Sequence, residues 1–473
     1  MHCFSNLHPM EAPIAQFKIK ILPLIFLVAV ALPPAAFGWD NGRGSLHWYW
    51  NTEIGSHTDD LSELMKAYNS LQIKGTYVLS STISCFATIK KFYDSVYDIA
   101  GEYRAGSHKT AKDTGTMWLR EVFLDYDHKP LFVRIGKQQV VWGSSDGVRA
   151  LDSINPGDSR YAYLDDAADY RIPLWMLRLE ASMKTDATLQ VLVIPDYEPH
   201  YSADAGDVFV FRPAKLSAKR LEGLPSFITV KEKRRYPPSS LHNSTVALRW
   251  QQVLEGWEIT LNYKYGYEFY PQAQGGFKLR DGRIPTVLLE KDFRKHINIF
   301  GASFTKAIPT GALRGFTFRG EFLCTRGKPY PYGKQGSVVG NTSMTAYAAI
   351  LGLDKIFFTD TLISMQLVQF LHPRTTCKGQ DIFYLPTFAP LRRSETMMTF
   401  RVSTDFFAER LKPEMLVIGD EHRDWRLSPK ISYEVNNHLW VYAGLHLFSG
   451  PRDSFYGQFK DDKMIYVGQT MSF

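Results

Sequence analysis

The stretch that decides the fold is WEITLNYKYGYE, residues 257–268. Every odd position from 257 to 267 is apolar or aromatic, and every even position is polar, charged or glycine. Successive side chains of a β-strand point to opposite faces, so this period of two predicts a strand whose faces meet different surroundings. Residues 439–447, 316–322 and 398–406 show the same alternation. The sequence therefore predicts a sheet with one apolar and one polar face.

Several features together separate a membrane barrel from a soluble sandwich, which also alternates. The polar faces carry full charges in mid-strand, tyrosine and tryptophan lie near strand ends, and short turns are mixed with long loops. A transmembrane barrel needs strands of about 9–11 residues, an apolar outer band, aromatic girdles and a polar lumen. After residue 38, no apolar stretch has the length of a membrane helix. We predict an all-β fold, a single transmembrane antiparallel β-barrel of 16–18 strands formed by residues 39–473.

Three long segments interrupt the strand rhythm, at residues 144–172, 196–242 and 372–394. Loops longer than about 12–15 residues are usually functional or disordered. In barrels, such loops cover the outer mouth or fold into the lumen. We therefore expect long outer loops, one of which can fold inward. A short helix is also predicted over residues 59–68, after Thr58 as its cap.

The first 38 residues differ from the rest of the chain. Lys18 and Lys20 precede an apolar run over residues 21–32, and Ala36-Phe37-Gly38 offers a small-x-small cleavage site. This is the layout of a secretory signal peptide. We expect cleavage before Trp39 and a location in the outer membrane of a Gram-negative cell. The formal charge of +7 falls by one when the leader is removed, and it is too weak to indicate nucleic-acid binding.

The polar face of one predicted hairpin supplies the first candidate site. Residues 117–127 and 131–137 flank a turn, and placing Asp125 opposite Phe132 puts Glu121, Asp125 and Arg134 on one face. Charge on the lipid side costs about 2–4 kcal/mol near the midplane, so this face is expected to line the lumen. The residues that we predict to line the lumen and set its selectivity are Glu121, Asp125, Arg134, Lys137, Gln138, Arg249, Lys264, Arg319 and Arg401.

Two parts of the chain carry family resemblances. Residues 134–143 (RIGKQQVVWG), 151–156 (LDSINP), 164–166 (LDD) and 171–177 (RIPLWML) resemble the signature block of the DUF1302 family of proteobacterial outer-membrane proteins, more distantly the alginate-export porins. This resemblance implies a barrel without an established activity. The last strand, MIYVGQTMSF (464–473), resembles the closing strand of outer-membrane barrels. That resemblance implies that Phe473 is a signal read by the barrel-assembly machinery.

The segment GSSDG, residues 143–147, also fits the G-x-S-x-G pattern of a serine hydrolase. That elbow requires a parallel strand turning into a helix, with an acid and a histidine downstream. Nothing in this chain alternates strands with helices, so Ser145 is disfavoured as a nucleophile and no enzyme activity is expected.

Other polar groups have competing interpretations. The basic residues 231–235 suit lipopolysaccharide phosphates, although a solvated loop is the simpler reading. Of the mature chain's three cysteines, Cys324 and Cys377 are the better candidates for a disulfide in an oxidising compartment. Calcium is a minor hypothesis because the spacing matches no known loop, and its candidate ligands are Asp152, Asn155, Asp158, Asp165, Asp166 and Asp169.

The function that these features favour is a passive channel, or porin-like transporter, for a small anionic or lipidic solute. An export port for a polymer or lipid that works with a periplasmic partner is the first alternative, and an outer-membrane hydrolase is the least favoured. We expect a monomer or trimer in contact with outer-membrane lipids and lipopolysaccharide. Neither a metal nor an organic cofactor is required.

Overall fold

The computed structural model describes residues 38–473 except 101–118, 185, 224, 226–227, 281–283 and 335–336. The predicted signal peptide therefore lies outside the described residues, apart from Gly38. Strands account for 62% of the structure and helices for 5%, which confirms the all-β prediction.

Eighteen antiparallel strands form a closed barrel, because the last strand pairs with the first. The number lies at the upper end of the predicted range. In chain order the strands are β1 (Gly44–His57), β2 (Leu64–Val78), β3 (Ile83–Asp94), β4 (Leu119–His128), β5 (Leu131–Gln138), β6 (Leu174–Ser182), β7 (Ala187–Ile194), β8 (Thr245–Leu254), β9 (Trp257–Tyr267), β10 (His296–Ala307), β11 (Phe316–Lys334), β12 (Ser337–Phe357), β13 (Thr361–Leu371), β14 (Ser394–Ser403), β15 (Leu411–Asp420), β16 (Trp425–Asn436), β17 (Leu439–Ser449) and β18 (Met464–Ser472).

Shorter elements lie outside the barrel wall. The helices are α1 (Val96–Ile99), α2 (Ala167–Tyr170) and α3 (Arg212–Glu222), and the 3-10 turns are Leu241–Asn243 and Gly457–Phe459. The other strands of the described residues are Trp39–Asp40, Asp158–Ser159, Tyr201–Ser202, Thr229–Arg235, Gln272–Arg280, Ile284–Asp292, Thr376–Cys377, Gln380–Tyr384 and Ala389–Pro390. Within the described part of the chain, no helix combines the length and the apolar character that a bilayer crossing demands.

The alternation along β9 places its two faces as predicted. Thr260 and Lys264, on the polar face, are 2% and 1% exposed, whereas Leu261 and Trp257, on the apolar face, are 54% and 40% exposed. The same outward exposure of large apolar side chains recurs around the barrel at Leu351, Met398 and Val467, among others. A surface of this kind suits contact with lipid.

The two rims of the barrel differ in the length of their connections. One rim, called here the short-turn rim, carries tight turns such as residues 129–130 and 255–256, together with the start of β1 and the end of β18. The opposite, long-loop rim carries residues 139–173, 195–244 and 372–393. The three long segments predicted from sequence thus all lie at one end.

Several of these loops fold back into the barrel and fill the long-loop half of its lumen. Ala162, Phe209 and Phe211 from the loops are buried in one apolar cluster with inward-facing wall residues such as Val368 and Phe448. The predicted inward-folding loop is therefore present, and it is accompanied by a second one from residues 195–244.

Two detailed predictions were wrong. Residues 59–68 do not form a helix, because β2 begins at Leu64 and pairs with β1. In the β4–β5 hairpin, Asp125 lies opposite Arg134 instead of Phe132, because the connection spans only residues 129–130. The sequence left open whether Cys324 and Cys377 pair, and in the structure all three described cysteines are free.

Candidate functional site

The segment that we call the inward loop, residues 139–173, leaves β5 and crosses the lumen. Its entry is fixed by hydrogen bonds to buried or half-buried groups. The backbone N–H of Gln139 donates to the Glu121 carboxylate at 2.9 Å, and that of Val140 donates to the Asn155 side chain at 2.8 Å. Asn155 in turn donates to the carbonyl of Ile172 at 2.9 Å, so one buried amide ties the two ends of the loop together.

Wall residues on the far side of the barrel hold the middle of the inward loop. The Glu321 carboxylate on β11 accepts hydrogen bonds from the backbone N–H groups of Ser144 at 2.5 Å and Leu151 at 3.3 Å. Lys264 on β9 donates to the carbonyl of Ser153 at 2.7 Å. Wall charges thus bind loop backbone, which satisfies polar groups that would be costly to leave unpaired inside the barrel.

Asp146 at the centre of the inward loop binds three wall strands at once. Its carboxylate forms ion pairs with Arg319 of β11 and, at 3.2 Å, with Arg401 of β14. It also accepts hydrogen bonds from Ser364 at 3.0 Å and Gln366 at 2.8 Å, both on β13. Burial would by itself raise the pKa of the Asp146 carboxyl, but the Arg319 charge and these hydrogen bonds hold the pKa below its usual value. The negatively charged Asp146 therefore holds the inward loop against β11, β13 and β14.

The two glycines of GSSDG are explained by this docking. Gly143 has φ +87°, and a Cβ there would lie 2.8 Å from the Glu321 carboxylate. Gly147 has φ +73°, and a Cβ there would lie 2.6 Å from Ile418 of β15. Both positions need a backbone conformation and a close approach that only glycine permits. The Ser145 hydroxyl donates to the carbonyl of Val148 within the same turn, so this hydroxyl stabilises the turn.

The acidic part of the inward loop returns to the wall beside β1–β3. Asp165 pairs with Lys66 at 3.4 Å, and Asp169 pairs with Lys90 at 2.7 Å. Burial raises the pKa of Asp165 to about 6, an increase that the Lys66 charge opposes. Among the described residues, no group of three or more His, Cys, Asp or Glu side chains is placed to hold a metal ion. Four of the five aspartates considered as calcium ligands bind basic side chains: Asp152, Asp158, Asp165 and Asp169.

A row of charged side chains lines the lumen from β4 to β8. The Arg134 guanidinium and the Asp125 carboxylate form two parallel hydrogen bonds of 2.6 and 2.8 Å. Arg178, directly opposite Arg134 on β6, pairs with Glu180 at 2.6 Å. Arg249 on β8 lies beside a cavity of about 460 Å³ below the entry of the inward loop. This side of the lumen is polar and contains open space.

Three of the predicted lumen residues are not exposed to the lumen. Lys137 is on the outer face of β5, with the parity of the exposed Ile135, because strand positions alternate and Arg134 faces inward. Its ammonium group donates to the carbonyl of Leu119. Gln138 faces inward but is fully buried, and Lys264 is buried under the inward loop. Glu121, Asp125, Arg134, Arg249, Arg319 and Arg401 do lie on the lumen face.

Sequence reasoning missed the residues that hold the inward loop: Asp146, Glu321, Asn155, Ser364 and Gln366. Glu321 does stand in an alternating strand pattern, which marks it as lumen-facing. Its partners in the inward loop, however, lie 170 or more residues away in the sequence. A polar position inside a strand gives no information about which loop reaches it.

Comparison with known proteins identifies the family. The model of the family described as "Protein of unknown function (DUF1302)" matches residues 49–435. The chain belongs to the DUF1302 family. The more distant relation of this DUF1302 protein to alginate-export porins remains a prediction. No curated protein matches its sequence.

Solved structures similar to the DUF1302 protein include several porins. A BenF-like porin from Pseudomonas fluorescens Pf-5 has 7% identity and a TM-score of 0.49, covering 91% of this chain and 98% of that one. Acinetobacter baumannii OccAB3 has 9% identity and a TM-score of 0.48, with the same coverage. Salmonella typhi OmpF, in complex with daunomycin, has 11% identity and a TM-score of 0.45, covering 92% of this chain and all of that one.

Proposed function

We propose that this DUF1302 protein is an outer-membrane channel that passively conducts small polar solutes past the inward loop. The observation that carries the proposal is the contrast between the two faces of the closed barrel. Large apolar side chains cover the outside, while arginine, lysine and carboxylate side chains lie on the inside. Charges arranged in this way keep a lumen hydrated and give it a fixed field, as in known pores.

The inward loop then sets the width and the field of the pathway. The loop occupies the middle of the barrel, where Asp146 binds it to β11, β13 and β14. The cavity beside Arg249 remains open on the β6–β8 side. We propose that solutes pass along this arginine-bearing side. The short-turn rim is then periplasmic, the long-loop rim faces the exterior, and the leader is removed on export.

A closed export port is the second candidate function, and one observation favours it. The loops form an apolar core with the inward wall residues of the long-loop half, which includes the buried Phe209, Val368 and Phe448. A port of this kind would open only when a periplasmic partner displaced the loops. Recordings from the purified wild-type protein distinguish the two functions, since a passive channel conducts without a partner.

Reversing the charge of Arg134 is expected to change the ion selectivity of the channel. Arg134→Glu replaces a half-buried arginine–carboxylate pair by two carboxylates in the lumen wall. The permeability ratio of K⁺ to Cl⁻ should rise on the order of twofold, because fixed wall charge sets the local ion concentration. Reversal potentials measured across a KCl gradient test this result.

The matched control for this variant is Arg314→Glu, in an exposed turn of the short-turn rim. It makes the same change of charge outside the lumen and should leave the permeability ratio near that of the wild type. Equal shifts in both variants, or none in Arg134→Glu, would show that Arg134 does not face the conducting pathway. Arg134→Gln gives a milder change should the reversed charge impair folding.

A further inference from the structure

We infer that the cavity beside Arg249 is a binding site for a small monocarboxylate solute. The inference rests on the proposed channel function and adds the class of solute and the residue that recognises it. The cavity, of about 460 Å³, lies between the lumen faces of β6, β7 and β8 and the entry of the inward loop. Its polar lining comes from Arg178, Glu180, Thr188, Gln190, Arg249 and Gln251.

Most of the other polar groups around this cavity are already hydrogen-bonded. Arg178 and Glu180 form an ion pair at 2.6 Å, and Gln190 donates to the same Glu180 carboxylate at 2.6 Å. The nearby Glu258 carboxylate accepts a hydrogen bond from Gln251 at 2.9 Å. These groups are therefore hydrogen-bonded, although Glu258 keeps its negative charge because the Gln251 side chain is uncharged.

Arg249 is the exception. Within the described part of the chain, it forms no ion pair with a carboxylate, and its one hydrogen bond runs from Nη1 to the carbonyl of Val141 at 3.4 Å. Its Nε is buried without a hydrogen-bond partner. A guanidinium has five N–H donors and always carries its charge, so one long bond leaves most of its capacity unused. The Glu258 and Glu180 carboxylates act on Arg249 only from a distance. The unused donors of this partly buried guanidinium therefore favour an anionic acceptor in the cavity.

The shape and charge of the surroundings narrow the class of anion. A planar carboxylate matches the fork of a guanidinium, which makes this pair stronger and more directional than a neutral hydrogen bond. The nearby Glu258 carboxylate, together with Glu180 in the lining, disfavours a second negative charge on the solute. Val140 and Val141 of the inward loop supply the apolar part of the cavity. A single carboxylate on a short apolar chain therefore fits best.

Equilibrium dialysis of the folded protein in detergent against radiolabelled butyrate tests the site directly. Wild type should bind butyrate saturably, and unlabelled butyrate should compete while butyramide, its uncharged isostere, should not. Arg249→Gln should weaken binding about tenfold or more, since it removes a charge-assisted hydrogen bond. Arg314→Gln, at the exposed turn, should bind as the wild type does. Absence of saturable binding in the wild type, or equal binding in Arg249→Gln, would overturn the inference.

Bilayer recordings separate failure of the site from failure of the channel. If the protein conducts KCl but binds no butyrate, the proposed channel function stands and the carboxylate site is refuted. If the protein binds butyrate through Arg249 but never conducts, the carboxylate site stands and the proposed channel function is refuted. Heat-modifiable migration in gels shows that each variant is a folded barrel before either measurement. Competition by butyramide equal to that by butyrate would also count against recognition by charge.

Discussion

Replacing Asp146 with alanine is expected to raise the single-channel conductance of the reconstituted barrel several-fold. The Asp146 carboxylate joins Arg319 and Arg401 across the lumen and accepts hydrogen bonds from two residues of β13. Removing one partner of a fully buried ion pair typically costs about 3–5 kcal/mol, because the remaining charge is left uncompensated. The Asp146 cluster is only partly buried, so we expect a smaller cost here. The docked position of the inward loop should lose that stabilisation, and the loop should leave the lumen for part of the time.

The same substitution should also move selectivity toward anions, because Arg319 and Arg401 lose a neutralising charge. Planar-bilayer recordings in symmetric and graded KCl measure both effects. Asp453→Ala, in an exposed part of the loop between β17 and β18, removes an equal charge away from the lumen and serves as the control. Asp146→Asn separates the role of charge from that of hydrogen bonding. Unchanged conductance in Asp146→Ala would mean that the loop does not restrict the pathway.

Deleting Phe473 is expected to lower the amount of folded barrel in the outer membrane on the order of tenfold, since unpaired backbone groups are costly in a membrane. Phe473 exchanges two backbone hydrogen bonds with Trp48 of β1, of 2.9 and 3.0 Å, at the seam where the barrel closes. Its ring also stacks on His438, with 5.2 Å between the ring centroids. The residue therefore contributes to closure, in addition to its proposed reading by the assembly machinery.

Two substitutions divide these contributions. Phe473→Ala keeps the backbone bonds to Trp48 and loses only the ring, whereas Phe473→Tyr keeps both. We expect folded protein, measured by heat-modifiable migration in membrane fractions, to decrease from Phe473→Tyr to Phe473→Ala to the deletion. Wild-type levels in the deletion variant would contradict a role of the last residue in either closure or assembly.

The barrel itself could be predicted from sequence because apolar and polar residues alternate along each strand according to the two faces of the wall. Residues 257–268 indicate β9 and its orientation without reference to any other part of the chain, and β17 is indicated in the same way. The register in which two strands pair is harder to predict from sequence, since it depends on the turn between them. Asp125 and Arg134 were placed on the correct face but two positions out of register, which turned a direct pair into a diagonal one.

The inward loop could be predicted only as a long, glycine-containing segment. The bond between Arg319 and Asp146 joins residues 173 positions apart, and no periodic pattern links them. The sequence shows the two glycines of GSSDG but not why glycine is needed there. The reason is that Glu321 and Ile418, on other strands, approach the loop backbone closely. Lys137 shows the converse error, in which a basic residue next to lumen residues was assigned inward against the parity of its own strand.

The most direct test of the channel is a planar-bilayer recording of the purified, folded wild-type protein in KCl without any partner. The account predicts discrete current steps of small conductance, reflecting a lumen narrowed by the inward loop. Bilayers that contain folded wild-type protein and Asp146→Ala protein, yet carry no current at any applied voltage, would contradict a passive channel.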